Sequence, residues 1–158
     1  MTYAAGTSVP PDRSRGEIER TLARYGAKQF MFGHDEDHGI VAFTMRGRQI
    51  RFTMTIPGLN SREVALTETG KRRTTAAAQD ARDKLVRQRW RAMLLVIKGK
   101  LEAIETGLVT FDTEFLAQTV LPGGETVGDA IVGRVAEAYE TGTVGQLLPS
   151  YTKAITAG

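Results

Sequence analysis

From Val41 to Ile56 the apolar residues fall on alternate positions: Val41, Phe43 and Met45, then Ile50, Phe52, Met54 and Ile56. Their spacers include Ala42, Thr44, Arg51, Thr53 and Thr55. A period of two describes a strand with one apolar face, and no helix can bury such a set on one side. Arg46-Gly47-Arg48 separates the two runs and is short enough for a tight hairpin turn with Gly47 at positive φ. Phe30 and Phe32 alternate around Met31, which adds an earlier strand, joined to the next through His34 to Gly39. Pro57-Gly58 ends the last strand. The pattern predicts a three-stranded antiparallel meander over about residues 28–56, with Arg51 opposite the apolar set.

A sheet of this kind must cover its apolar face. The cover is predicted in the segment after Thr74 or Thr75. There Val86, Trp90, Met93, Ile97, Leu101 and Ile104 recur in steps of three and four, one stripe of a long helix that Gly107 can close. At roughly 1.5 Å per residue this helix is about 45 Å long, and Gly99 is a candidate kink. Ser14-Arg15-Gly16-Glu17 reads as a capping box for an earlier helix over 14–25, with Gly26 after its end. Phe111, Phe115, Leu116 and Val120 predict a short helix capped by Thr110 or Asp112. Pro122-Gly123-Gly124 is a turn. Thr126 to Asp129 resembles a second capping box, followed by Ile131, Val135, Ala138 and Tyr139 and stopped by Gly142. Thr143 to Leu148 is expected to add one more turn. The fold class is therefore α+β. Residues 1–13 read as a flexible arm, and residues 14–158 as a single domain of a size that one core can hold.

The chain has 158 residues and no cysteine, so disulfides, thiolate metal sites and thiol nucleophiles are excluded. Residues 1–13 lack the apolar centre of a secretory signal, and the longest strongly apolar run, Ala92 to Ile97, is far too short to span a bilayer. A cytoplasmic location without membrane contact is expected.

Charge is segregated. Fourteen of the 21 Lys and Arg residues lie between Arg46 and Lys100 against four acidic residues, a local net charge of +10. Residues 101–158 carry a net −6. A concentrated positive field recruits polyanions. Its cations fall in three groups. Arg46, Arg48 and Arg51 belong to the hairpin, and Lys71, Arg72 and Arg73 to the loop before the long helix. Lys84, Arg87, Arg91 and Lys98 share one flank of that helix, within about 60° of one another. Arginine's planar fork suits phosphate oxygens, so these ten residues are the candidate nucleic-acid-binding set. Two blander readings stand beside it: a solvated basic surface, and neutralisation by the acidic C-terminal third within or between subunits. Single strands are commonly held with exposed stacking rings. Phe30, Phe32, Phe43, Phe52 and Trp90 instead occupy predicted core positions.

Other constellations carry less. His34-Asp35-Glu36-Asp37-His38 gathers two imidazoles and three carboxylates, but consecutive loop residues splay their side chains, and a solvated turn is the expectation. No serine has a nucleophile context, and Gly123-Gly124-Glu125-Thr126 lacks the lysine of a phosphate loop. No catalytic residue, metal site or cofactor is predicted.

The order helix, three-stranded meander, basic loop and long basic-flanked helix, over roughly residues 14–106, resembles the core of phage single-strand annealing proteins of the Redβ and Erf type. The features that carry the resemblance are the hairpin Val41–Ile56 with Arg46, Arg48 and Arg51, and the helix with Lys84, Arg87, Arg91 and Lys98. Compact size and a Gly-rich tail are also similar to those of small phage or prophage proteins. The resemblance implies a non-enzymatic, homo-oligomeric protein that holds single-stranded DNA in a basic groove during annealing or recombination. The alternative expectation is an interaction module that oligomerises through its basic middle and acidic C-terminal regions, without nucleic acid.

Overall fold

The computed structural model describes residues 11–151. The chain forms α1 (Pro11–Arg24), β1 (Lys28–His34), β2 (His38–Met45), β3 (Arg48–Thr55), α2 (Arg62–Ala65), α3 (Thr75–Glu105), α4 (Phe111–Glu114), a 3-10 turn (Leu116–Gln118) and α5 (Val127–Thr141). This is the expected α+β architecture. Among the described residues no helix is long and apolar enough to cross a membrane.

The sheet is an antiparallel meander of order β1-β2-β3. Val41 pairs with Phe52, Phe43 with Ile50 and Met45 with Arg48, so the alternate apolar residues share one face. Arg51 pairs with Ala42 on the other face. The tight turn uses two consecutive positive φ values, 48° at Arg46 and 73° at Gly47, as a type I′ hairpin requires. A register shift between Lys28 and Met31 marks a bulge in β1, with Gln29 at φ 55°.

α1 and α3 cover the apolar face. The core joins Ile18 and Leu22 of α1, Val41, Phe43, Met45, Ile50 and Phe52 of the sheet, and Trp90, Leu94, Ile97 and Leu101 of α3. Thr74 caps α3 by accepting a hydrogen bond from the Ala77 amide at 3.2 Å, and the helix runs unbroken through Gly99. Two details differ from the sequence reading. Leu94, outside the predicted stripe, is fully buried, while Val86, Met93 and Ile104 are only partly so. The first helix starts at Pro11, where the missing amide costs nothing, so Ser14 lies inside its first turns and is no cap. Its hydroxyl is buried without a partner among the described residues, and Glu17 reaches α3 instead. The arm expected over residues 1–13 thus yields Pro11 to Arg13 to the helix; residues 1–10 lie outside the described part.

Gly39 sits where β2 passes beneath α3. A Cβ there would stand 2.5 Å from Met54 Cε and 3.2 Å from Trp90 Cζ2. The methionine methyl can move, but the indole edge is locked in the core. Gly39→Ala is expected to lower stability by about 1–3 kcal/mol, read as a fall in the urea midpoint with an unchanged slope. An unaltered midpoint would mean that β2 and α3 have room to part.

The C-terminal third closes the remaining edge. Thr110 caps α4, and Phe115 drops into the core against Phe43, Phe52 and Phe111. The Val120 amide then donates to the Gln49 carbonyl at 2.8 Å, which covers part of the outer edge of β3. Thr126 caps α5, and Gly142 ends it in the left-handed region. The turn expected over Thr143 to Leu148 is absent; that segment is irregular.

Candidate nucleic-acid interface

The three basic groups do not share one surroundings. The β2–β3 ladder runs through eight pairs, from His38–Thr55 to Met45–Arg48, a span of about 24 Å. Arg46 and Arg48 stand at its turn end. Arg46 lies over the Phe111 ring, with Cζ at 5.3 Å, and Arg48 is exposed. The opposite end meets the early part of α3, where Arg82 donates to the carbonyls of Pro57 and Glu36 at 3.2 and 2.7 Å. Lys71 and Arg72 belong to the loop just before that helix and are exposed. Hairpin and loop cations therefore occupy opposite ends of the sheet.

Arg51 and Arg73 are tethered to the backbone. Arg51 Nη2 donates to the Gly124 carbonyl at 2.9 Å on the open face of the sheet. Arg73 Nη1 donates to the carbonyls of Glu63, Val64 and Leu66, the orphan acceptors at the end of α2. Lys84 shares a surface depression with Arg62 and Arg73. Arg87, about 60° further around the helix, lines a different cavity beside Arg15.

Arg91 and Lys98 face α1. Glu17 accepts from Lys98 Nζ at 2.6 Å and lies 3.5 Å from Arg91 Nη1. Leu94 explains this pairing: it stands about 60° and 40° around the helix from Arg91 and Lys98, so its burial turns that flank toward α1. The hydrogen bond from Lys98, helped by the charges of Lys98 and Arg91, holds the Glu17 carboxyl below its ordinary value of 4.5. A lowered carboxylate pKa adds stability that is complete above the unfolded value and is lost as pH falls through the folded one. Glu17→Gln is expected to cost about 0.5–1 kcal/mol at pH 7, the pair being partly exposed. That cost should shrink as the parent loses the same contribution in acid. Urea titrations at pH 7 and pH 3 measure it, and an equal cost at both values would count against the ion pair.

Five of the ten candidates, Arg46, Arg48, Lys71, Arg72 and Lys84, are thus exposed with no carboxylate partner among the described residues. The rings are committed elsewhere. Phe43, Phe52 and Trp90 are buried, and Phe30 and Phe32 pack against the core. In the His34–His38 loop, Asp35 Oδ1 accepts from the amides of Asp37 and His38 at 2.8 and 2.6 Å, and these bonds lower its pKa. Among the described residues no group of three ligand-type side chains is placed to hold a metal ion.

One concave site escaped the sequence reading. A cavity of about 570 Å³ opens between the start of α1, the β1–β2 turn and the middle of α3. Arg15, Arg82 and Arg87 line it together with His34, Asp35, Glu36 and Asp83, and Trp90, Ile56 and Val86 form its apolar wall. Arg15 lies on α1, outside the basic stretch, and no spacing rule links it to Arg87.

No protein family, curated protein or solved structure matches the chain.

Proposed function

We propose that the chain is a non-enzymatic nucleic-acid-binding protein that holds single-stranded DNA through its phosphates, as an annealing or recombination accessory factor, and works as a homo-oligomer. The observation that carries this reading is the set of five exposed cations without carboxylate partners: Arg46, Arg48, Lys71, Arg72 and Lys84. Phosphate contacts of this type release counterions and ignore sequence. Core packing of the phenylalanines and Trp90 removes them as stacking platforms, so the affinity rests on charge.

Fluorescence anisotropy with single- and double-stranded oligonucleotides at two salt levels tests the reading. With four phosphate contacts, the affinity for a single strand falls about 50-fold between roughly 50 and 200 mM salt. A duplex bound more tightly than the single strand would count against the single-strand part of the proposal. Absence of binding at low salt, or a salt-independent affinity, would overturn the proposal.

A second reading, an interaction module without nucleic acid, is favoured by α5. This helix buries only Val127, exposes Val132 and Tyr139 at 71% and 87%, and carries Glu137 and Glu140. An acidic, partly apolar helix can meet a basic surface on another copy. Sedimentation that shows salt-dissociable oligomers and no shift with oligonucleotide would select this reading.

A further inference from the structure

The two outer edges of the meander differ. Outside β3, the Val120 amide bonds to the Gln49 carbonyl. Outside β1, no backbone bond is made among the described residues. The register shows which groups are left there. The Asp35 amide donates to the His38 carbonyl at 2.9 Å, and Gly33–Ile40 and Met31–Ala42 continue in the same phase. The odd-numbered residues therefore bond inward, to β2, and the amides and carbonyls of Phe32 and His34 point outward. A row of unpaired groups on an edge strand is a template for another strand.

The side chains along this edge say what fits it. Phe30 and Phe32 pack on the core but stay partly open, and Met31 is 54% exposed. Charge is unequal along the strand: Lys28 opens it, and Asp35, Glu36 and Asp37 follow its end. Lys28 and Glu36 are exposed, and neither side chain has a charged partner among the described residues. A second β1 laid parallel would bring like charges together. Laid antiparallel, with Phe32 opposite Phe32, it carries Lys28 of each copy toward Glu36 of the other, because the two lie equally far on either side of Phe32. The same register sets outward groups against outward groups, so each Phe32 amide donates to the Phe32 carbonyl of the other copy.

We infer that β1 is the surface through which two copies of this chain pair, edge to edge and antiparallel, so that their sheets become one. Main-chain bonds give this contact its affinity, while the Phe32 pair and the two Lys28–Glu36 pairs set its register. The inference supplies the contact for the homo-oligomer proposed above and rests on that part of the reading, not on nucleic acid. The contact is isologous, so it closes as a dimer. The bulge at Gln29 limits the usable edge of β1, and Val120 occupies part of the β3 edge, so the sheet is not extended into a fibre.

Sedimentation equilibrium of the full chain, without nucleic acid, tests this. The parent is expected to dimerise. His34→Pro removes an outward amide that the β1–β2 ladder does not use, and should weaken the dimer by about tenfold or more with an unchanged circular dichroism spectrum. Lys28→Glu sets two repulsions into each dimer and should also weaken it about tenfold. Adding Glu36→Lys to Lys28→Glu restores opposite charges and should return the affinity to within about threefold of the parent's. This charge exchange remains informative should His34→Pro fail to fold. A parent that stays monomeric up to about 1 mM would overturn both the inference and the homo-oligomer, and would leave the edge to a strand of another protein. A dimer equally tight in His34→Pro and Lys28→Glu would overturn the β1 contact alone and leave the homo-oligomer standing. A double variant as weak as Lys28→Glu would overturn the antiparallel register.

Discussion

Phe115→Ala is expected to lower the free energy of unfolding by about 3–5 kcal/mol. Phe115 is fully buried, and its ring stands 6.1 Å from Phe43 and from Phe52, edge-on to both, and 5.2 Å from Phe111. Such pairs add to simple area burial because the edge of one ring meets the face of the other. Truncation leaves a cavity bounded by two strands and α4, and strands held by a ladder cannot collapse into it. It also loosens the only aromatic link, among the described residues, between the 110–120 segment and the sheet. Lys100, which donates to the Glu114 carbonyl at 3.0 Å, then has less to hold in place. Phe115→Leu keeps most of the volume and should cost under about 1.5 kcal/mol. Urea unfolding followed by Trp90 fluorescence gives both values. A cost below about 1 kcal/mol for the alanine variant would show that the segment is not anchored there.

Reversing Arg46, Arg48, Lys71 and Arg72 to glutamate is expected to abolish measurable oligonucleotide binding at about 0.15 M salt. None of the four has a carboxylate partner among the described residues, so their exchange breaks no ion pair within the chain. The fold should survive, with a melt close to the parent's. Neutral replacement by glutamine is the milder arm. It should flatten the dependence of log K on log salt by about 0.7 per lost phosphate contact. Because the two pairs lie at opposite ends of the sheet, the hairpin and loop variants test separate contacts. Additive effects fit one strand that spans both ends. A loss confined to one pair would reduce the interface to that end. Unchanged binding in the fourfold glutamate variant would remove these residues from any nucleic-acid role.

The local elements were legible because each rests on neighbours in the chain. The alternation from Val41 to Ile56 set the strands, and Arg46-Gly47 supplied the two positive φ values of the turn. Thr74, Thr110 and Thr126 each cap a helix by accepting from an amide three residues on, a short-range event that spacing reveals. The errors came from partners far away in sequence. Ser14 and Glu17 have the spacing of a capping box, yet Pro11 opens the helix earlier and Glu17 is drawn to Lys98, 81 residues away. α5 has an apolar repeat, but nothing among the described residues covers Tyr139.

The same division governs the charges. Sequence alone determined that cations concentrate between Arg46 and Lys100, because composition is fixed by the chain. Only the tertiary structure decided which of them remain free. Burial of Leu94 rolls one flank of α3 onto α1, which pairs Arg91 and Lys98 with Glu17. The sheet's length keeps the hairpin arginines apart from the loop cations. The convergence of Arg15, Arg87 and Trp90 on one cavity likewise depends on how two helices and a turn meet. Charge and period are properties of neighbours along the chain. Which groups are paired, buried or left open is set by long-range packing, where one core residue can redirect a whole helix face.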